Sequence, residues 1–412
     1  MNTNYDEDKI VNEKYYRACA TVNLDAIYDN IINLSKRLGE GTKIIAVIKT
    51  DGYGHGAVPI ANTIDNLVSA YGVATVDEAV NLRKHGIKKP IYVIGYTHES
   101  QLARIVEGDI RPTVFTYDMA KAVSDTAVSM NKKAKIHIKI DTGMSRIGFK
   151  PNEESLNIIE EISNMKGIEI EGIFTHFATA DEEDKTGANK QYEIFKNFTD
   201  ELAKRGINIK IKHCSNSAAM MEMPYANMDY VRAGIAMYGL YPSDEVDKEL
   251  VKLTPALGLK SHVAYVKTIE KGTRVSYGGT FVADKVMKIA TIPLGYGDGY
   301  RRSLSNKGYV LIHGKKAAIL GRVCMDQFMV DITEIDDVKK DDEVVLLGKS
   351  GDEEITAEKL AQMAGETFNY EIVCDIGKRI PRVFYRNGKI ICTKDYFDDK
   401  YEINEAISDS LE

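Results

Sequence analysis

Tryptophan is missing from the 412 residues, and that lack excludes nothing. Other shortages exclude more. No apolar run approaches the ~18 residues needed to span a bilayer, so no membrane segment is expected. The five cysteines (Cys19, Cys214, Cys324, Cys374, Cys392) are odd in number, scattered, and form no C-x-x-C pair. That pattern argues against a disulfide framework and a thiolate zinc site, and favours reduced thiols in a cytoplasmic protein. The eight histidines show no H-x-x-x-H and no other metal-ligand spacing, so no metal is expected. Basic residues are outnumbered, 54 Lys and Arg against 61 Asp and Glu, for a net charge of −7. Without a basic cluster interleaved with aromatics, nucleic acid is not an expected partner. The first residues, M-N-T-N-Y-D-E-D-K-I-V-N-E, are polar and acidic, the wrong character for a secretory signal.

What is present is an alternation. From about residue 21 to 240, short β-branched runs are followed by helical stretches. The runs at 43–48, 71–75, 90–94, 111–116, 134–140, 168–176, 207–213 and 230–235 read as strands. The segments 23–34, 58–67, 77–85 and 118–131 read as helices. Near-continuous apolar strands in about eight strand–helix units predict a (β/α)8 barrel. Beyond residue 255 or so the strands become denser (264–269, 288–294, 309–314, 317–323, 328–332, 343–347) with one helix at 355–364, predicting a separate, mostly β domain. The expected organisation is a polar arm over 1–16, the barrel over 17–252, the β domain over 253–395 and an acidic tail over 396–412.

In a barrel, function gathers at the C-terminal ends of the strands. Lys49 follows I-I-A-V-I. Lys139, Asp141 and Arg146 end or follow I-H-I-K-I. His176 follows G-I-F-T. His213, Asn216 and Ser217 follow I-K-I-K, and Arg232 lies in Y-V-R-A-G-I. Any one of these has an ordinary structural reading: a snorkelling lysine, an ion-paired arginine, a satisfied histidine. Together they predict one cationic mouth on an acidic protein, suited to a small anionic ligand such as a phosphate. A desolvated lysine among cations would have a nucleophilic amine, and Lys49 is the sharpest candidate for that role. The D-G-Y-G-H-G that follows permits a tight turn and places Tyr53 nearby. The turn S-N-S-A-A (215–219) offers Ser217 and backbone N–H groups to phosphate oxygens.

The motifs A-V-I-K-T-D-G-Y-G-H-G, K-I-D-T-G-M-S-R-I-G, F-T-H-F-A-T-A-D, H-C-S-N-S-A-A, V-R-A-G-I-A-M-Y-G-L, V-S-Y-G-G-T, P-L-G-Y-G-D-G-Y-R-R, G-R-V-C-M-D-Q and F-N-Y-E-I run in order from about residue 17 to 385. Together they resemble the bacterial alanine racemases. That resemblance implies a pyridoxal 5'-phosphate enzyme on a (β/α)8 barrel with a C-terminal β domain, working as a head-to-tail homodimer. Lys49 would hold the cofactor and act as one base. Tyr277, from the partner subunit, would be the other. Arg232 would face the pyridine nitrogen. Tyr53, Asn216, Ser217, Gly234, Ile235 and Tyr370 would surround the phosphate. Arg146 and the backbone of Met325 would bind the substrate carboxylate, with Lys139, a position carbamylated in many relatives, orienting Arg146. His176 would link Tyr277 to Arg232. His213 and Cys324 would support the site, and Tyr296 and Asp326 would line the access path. The chain departs from the family pattern at Gly297, Arg301, Val373 and Lys378, all outside the bases and cofactor contacts.

Chemistry agrees with these roles. Racemisation removes a proton from one face and returns it to the other, which calls for two bases, each contributing on the order of 10²–10⁴-fold. A tyrosine of ordinary pKa about 10 becomes a base only where cations stabilise its phenolate. An arginine at the ring nitrogen does not release a proton to it, which weakens the electron sink and favours reprotonation. The expected function is interconversion of L- and D-alanine to supply peptidoglycan synthesis, with serine as an alternative substrate. A decarboxylase and a non-catalytic cofactor-binding protein are the remaining alternatives. The first would favour an acidic group in place of Arg232, and the second would lack the β domain.

Overall fold

The computed structural model of the chain describes residues 15–365 and 367–397. Most of the expected N-terminal arm and acidic tail lies outside the described residues. The described residues divide into two compact units, one formed by 23–256 and the other by those before residue 23 together with those from 257 onward. Among the described residues, no helix is long and apolar enough to cross a membrane.

The strand β1 (Ala18–Asn23) is the first element, and it does not join the barrel. It pairs antiparallel with Leu257–His262, with Ala18 opposite Ser261 and Val22 opposite Leu257. Residues 17–22, assigned to the barrel from sequence, therefore belong to the β unit. The reason is register: the buried face of A-C-A-T-V finds its partners far downstream, which a reading of local periodicity cannot detect.

Eight parallel strands follow: β2 (Lys43–Val47), β3 (Ala70–Val73), β4 (Ile91–Val93), β5 (Ile110–Val114), β6 (Ala134–Lys139), β7 (Ile168–Phe174), β8 (Ile211–His213) and β9 (Tyr230–Ala233). Their order, β8-β7-β6-β5-β4-β3-β2-β9, is that of a (β/α)8 barrel. The Arg232 N–H donates to the Ser215 carbonyl at 3.0 Å, just past the end of β8, and links the two end strands. The strands are almost wholly buried, because helices cover their outer face while side chains fill the inside. Several of the helices begin at a side-chain cap. Asn23 caps α1 (Leu24–Ser35), and Thr116 caps Tyr117–Ser129. Thr75 and Glu78 form a reciprocal capping box at the start of Val76–Lys84.

The second unit is built on one long antiparallel sheet, in which β1 lies between Leu257–His262 and Arg382–Arg386. A short ribbon, Arg274–Val275 against Phe281–Val282, projects a single turn, Tyr277–Gly279. Two helices, Ala357–Ala364 and Asn369–Cys374, complete it.

Candidate active site

Lys49 lies just beyond β2, half-buried, and the backbone after it winds the wrong way. Thr50, Asp51, Gly52 and Tyr53 all have positive φ (56°, 49°, 66° and 52°), forming one left-handed helical turn. L-residues pay roughly 1–2 kcal/mol each for this conformation. Several hydrogen bonds offset that cost. Gly52 N–H donates to the Ile48 carbonyl at 2.9 Å, Gly54 N–H to Thr50 at 2.9 Å and Gly56 N–H to Asp51 at 2.7 Å. Ala57 N–H reaches the Asp51 carboxylate at 2.9 Å. The Glu78 carboxylate accepts from Thr50 N–H with one oxygen and from Ala74 and Thr75 N–H with the other. Behind the turn, Tyr238 stacks on Tyr53 (4.9 Å) and His55 (4.6 Å) and donates to the Val47 carbonyl. The turn delivers Tyr53 beneath the lysine, with Lys49 Nζ 5.8 Å from its ring centre.

Tyr53 arrives at Gly234. A Cβ at that position would lie 3.3 Å from Tyr53 Oη and 3.4 Å from Ser217 Oγ. Ser217 Oγ in turn accepts from Gly234 N–H (2.9 Å) and Ala236 N–H (3.3 Å). Two hydroxyls and converging backbone donors around a residue without a side chain make a cradle for anionic oxygens. Asn216 does not aim its side chain into the cradle. Its carbonyl oxygen caps the next short helix through Ala219 N–H at 3.0 Å. Ile235 is fully buried beside the cradle.

Arg232 is buried, and both of its Nη groups are engaged. Nη1 donates to His213 Nδ1 (2.7 Å) and the His213 carbonyl (3.2 Å). Nη2 donates to the carbonyls of Thr175 and Cys214 (2.8 Å each) and to His176 Nδ1 (3.2 Å). Among the described residues, Nε–H is the guanidinium donor without an acceptor. Burial lowers the Arg232 pKa to about 10.

The same cations act on one another. Burial, then Arg232 and Arg146, bring Lys139 down to about 7, against a raising contribution from Asp141. Lys139 Nζ donates to the Ile140 carbonyl at 2.6 Å. His176 is pushed well below its ordinary value by burial and by Arg232, Arg146, Lys139 and Lys49 together. One imidazole that feels all four charges places them at one mouth. Arg232 occupies His176 Nδ1, so the neutral ring carries its proton on Nε2. Arg146 is exposed at the end of a loop that Asp141 shapes, accepting from Gly143 and Ser145 N–H. His213, expected in the mouth, is instead wholly buried beneath Arg232, stacked on Phe174 at 4.8 Å. It ends β8 facing inward, so it supports Arg232 and is not presented to a ligand.

The remaining candidates belong to the second unit. Tyr277, Met325 and Tyr296 are large side chains left exposed, Tyr277 at 70%. Their backbones are held firmly. Ser276 adopts φ 64°, ψ −177°, a region costly for any residue but glycine, and its Oγ donates to the Arg322 carbonyl at 2.6 Å. Cys324 Sγ lies 3.4 Å from that hydroxyl. Tyr296 N–H donates to the Cys324 carbonyl and Gly297 N–H to the Met325 carbonyl (3.0 and 2.9 Å). Arg379 bridges Asp326 (2.8 Å) to the buried Asp298, which Arg17 grips with two further bonds. Gly297 leaves room for this bridge, since a Cβ there would lie 2.6 Å from Arg379 Nη1. Arg301 pairs with Glu371 (2.7 Å) and Asp375 (2.5 Å) on the helix that carries Tyr370.

Sequence reasoning missed Glu78, His137, Glu171, Ser276 and Arg379. Signals existed for two of them: Thr75-x-x-Glu78 is a capping-box pattern, and His137 shares strand parity with Lys139, so both face the barrel interior.

The fold and the site define a class: a two-unit barrel enzyme with a lysine, an anion cradle and a buried arginine at the barrel mouth. Two family models match, the alanine racemase N-terminal domain over 22–242 and the alanine racemase C-terminal domain over 256–384. An alanine racemase of Clostridium perfringens strain SM101 is 48% identical over 378 residues, covering 92% of this chain and 97% of the relative. The solved alanine racemase of Clostridium difficile 630 superposes with a TM-score of 0.89 at 42% identity, covering 92% of this chain and 98% of that one. The Bacillus anthracis alanine racemase with bound L-Ala-P gives 0.89 at 37% identity, over 94% and 99%. The chain belongs to the alanine racemase family.

Proposed function

We propose that the protein interconverts L- and D-alanine by a two-base mechanism dependent on pyridoxal phosphate, as a cytoplasmic homodimer supplying D-alanine to peptidoglycan synthesis. The residues present fit the cofactor. Tyr53 Oη and Ser217 Oγ converge on Gly234, with no side chain between them, beside the Gly234 and Ala236 N–H groups, a donor set that suits a phosphate. The remaining Arg232 Nε–H suits an unprotonated ring nitrogen. Lys49 is the amine that holds the carbonyl carbon. Tyr53, Ser217, Gly234, Ile235 and Tyr370 hold the phosphate, with Asn216 fixing the turn. When bound, the cofactor supplies an electron sink for the substrate's α-carbon.

The chain's own residues do the rest. Lys49 moves the α-proton on one face. Tyr277, contributed by the second copy, moves it on the other. His176 directs its Nε2–H to the Tyr277 oxygen, and Arg232 and Arg146 add positive charge, so the phenolate is stabilised. Arg146 and the Met325 backbone orient the substrate carboxylate. Lys139, partly neutral near pH 7, is set to take up carbon dioxide, and the resulting carbamate steadies Arg146. Exposure of Tyr277, Met325 and Tyr296 in the single copy supports a shared site, because side chains of this size are normally covered.

The observation that carries the reading is the arginine at the floor of the mouth, buried and locked as a donor. A decarboxylase would favour a carboxylate there. The test is turnover of L-alanine in deuterated water, which should give D-alanine and α-deuterium. Tyr277→Phe should lower that turnover about 10²–10⁴-fold while leaving cofactor absorbance in place. Full activity in the variant removes Tyr277 from the mechanism.

A further inference from the structure

Below Arg232 the barrel interior is not apolar. His213 Nε2 lies 3.0 Å from His137 Nδ1, and His137 Nε2 lies 3.4 Å from Glu171 Oε2. Glu171 also accepts from Arg111 Nε at 3.1 Å and pairs with Lys135 at 3.4 Å. Two features show that the column is built into the strands. The β6–β7 register passes from Ile136 opposite Ile170 to His137 opposite Gly172, so Glu171 is the extra residue of a β-bulge. Bulges re-aim side chains. Gly172, the partner of His137, has no side chain, and a Cβ there would lie 2.4 Å from the imidazole.

The protons in this column have one arrangement. Arginine only donates, so His213 Nδ1 is bare. Both imidazoles are neutral, held down chiefly by burial, with Arg232 adding to the effect. His213 therefore carries its proton on Nε2 and donates to His137 Nδ1. His137 then carries its proton on Nε2, facing Glu171. The carboxylate agrees with this: burial favours its neutral form, but His137 and Arg111 prevail and bring its pKa down to about 2, so a negative charge faces His137 Nε2. The order is fixed from the Arg232 end.

We propose that Glu171, acting through His137 and His213, is a positioning residue for the Arg232 guanidinium. Its carboxylate oxygen lies 3.4 Å from His137 Nε2, in ion-pair reach but short of a hydrogen bond, and its negative charge favours a proton at that end; the hydrogen bonds from His137 through His213 then fix the rotation of Arg232 and so the aim of Nε–H. The functional consequence rests on the racemase reading, but the proton arrangement does not.

The experiment is long-range ¹H–¹⁵N spectroscopy of the cofactor-loaded protein labelled at histidine, from about pH 6 to about 9. His137 and His213 should both appear as neutral Nε2–H tautomers throughout. Glu171→Ala should shift the His213 nitrogen signals, alter the cofactor's absorbance band, and lower kcat about tenfold with KM for alanine little changed. Glu171→Gln keeps an electronegative oxygen facing His137 Nε2 and should recover most of each. A proton on Nδ1 of either ring, or a charged ring, overturns the proposal. So does a Glu171→Ala protein that only melts earlier, with His213 signals and absorbance unmoved, since that is a purely structural role. If alanine is not turned over at all, the tautomers still test the column, and the two failures remain separate.

Discussion

Glu78→Ala is the sharpest test of how Lys49 is presented. The left-handed turn after Lys49 holds three residues other than glycine, Thr50, Asp51 and Tyr53, at about 1–2 kcal/mol each. Some 3–6 kcal/mol must therefore be offset locally. Glu78 supplies one charge-assisted bond to Thr50 N–H, worth about 1.5–3 kcal/mol, and a capping contribution near 1 kcal/mol to its own helix. Removing the carboxylate should cost about 3 kcal/mol, most of it at the turn. Hydrogen exchange resolves the two parts. In Glu78→Ala, amides within 49–56 should exchange about 30-fold faster, since about 2 kcal/mol is lost at the turn and each 1.4 kcal/mol is tenfold in the opening equilibrium. Thr75→Ala is the control, because it removes the cap oxygen without touching Thr50. That variant should speed exchange at the start of Val76–Lys84 and leave 49–56 alone. Cofactor release from Glu78→Ala should quicken in parallel. If 49–56 exchanges at the wild-type rate in Glu78→Ala while the helix start does not, Glu78 is a helix cap only and the strain argument fails.

Two further outcomes are expected. Lys139 has a folded pKa of about 7, below its unfolded value of about 10.5, so the unfolded chain binds the proton more tightly. Its contribution to stability is least favourable below pH 7 and improves as pH rises from 7 towards 10. Lys139→Met should therefore gain Tm relative to wild type at pH 6.5 and lose that advantage by about pH 9, as scanning calorimetry will show; an advantage that does not depend on pH refutes a neutralised lysine. Gly234→Ala places a methyl 3.3 Å from Tyr53 Oη and 3.4 Å from Ser217 Oγ. It should weaken pyridoxal phosphate binding by about tenfold or more with little change in Tm, and unchanged affinity in a titration of the cofactor-free protein would refute the cradle.

Much of this was legible in the sequence. The apolar runs located all eight barrel strands, and strand-end position picked out Lys49, Lys139, His176 and Arg232 without reference to any relative. What escaped reading was non-local or conformational. Nothing in T-D-G-Y announces a left-handed turn beyond its one glycine, because the compensating carboxylate of Glu78 sits on Val76–Lys84, beyond the next helix and strand. His137 read as a polar strand residue, since its partners lie on β7 and β8. The bulge at Glu171 exists only in the pairing of two strands. Tyr277 could be found by motif but not by pattern. Its strained neighbour Ser276 is stabilised by Arg322, which lies on a loop well downstream.

The placement of β1 has a consequence for how the protein is made. The ribosome releases this strand first, yet its neighbours in the sheet, Leu257–His262 and Arg382–Arg386, appear only after the whole barrel span of 23–256. At ~5–20 residues per second, A-C-A-T-V waits roughly ten to fifty seconds with both edges unpaired. The barrel can complete itself in that interval without it. The second unit cannot be excised as a contiguous fragment: expressed from residue 257 onward, its sheet would have a gap at an interior position, and the missing strand would have to be supplied as a separate peptide or by permuting the chain.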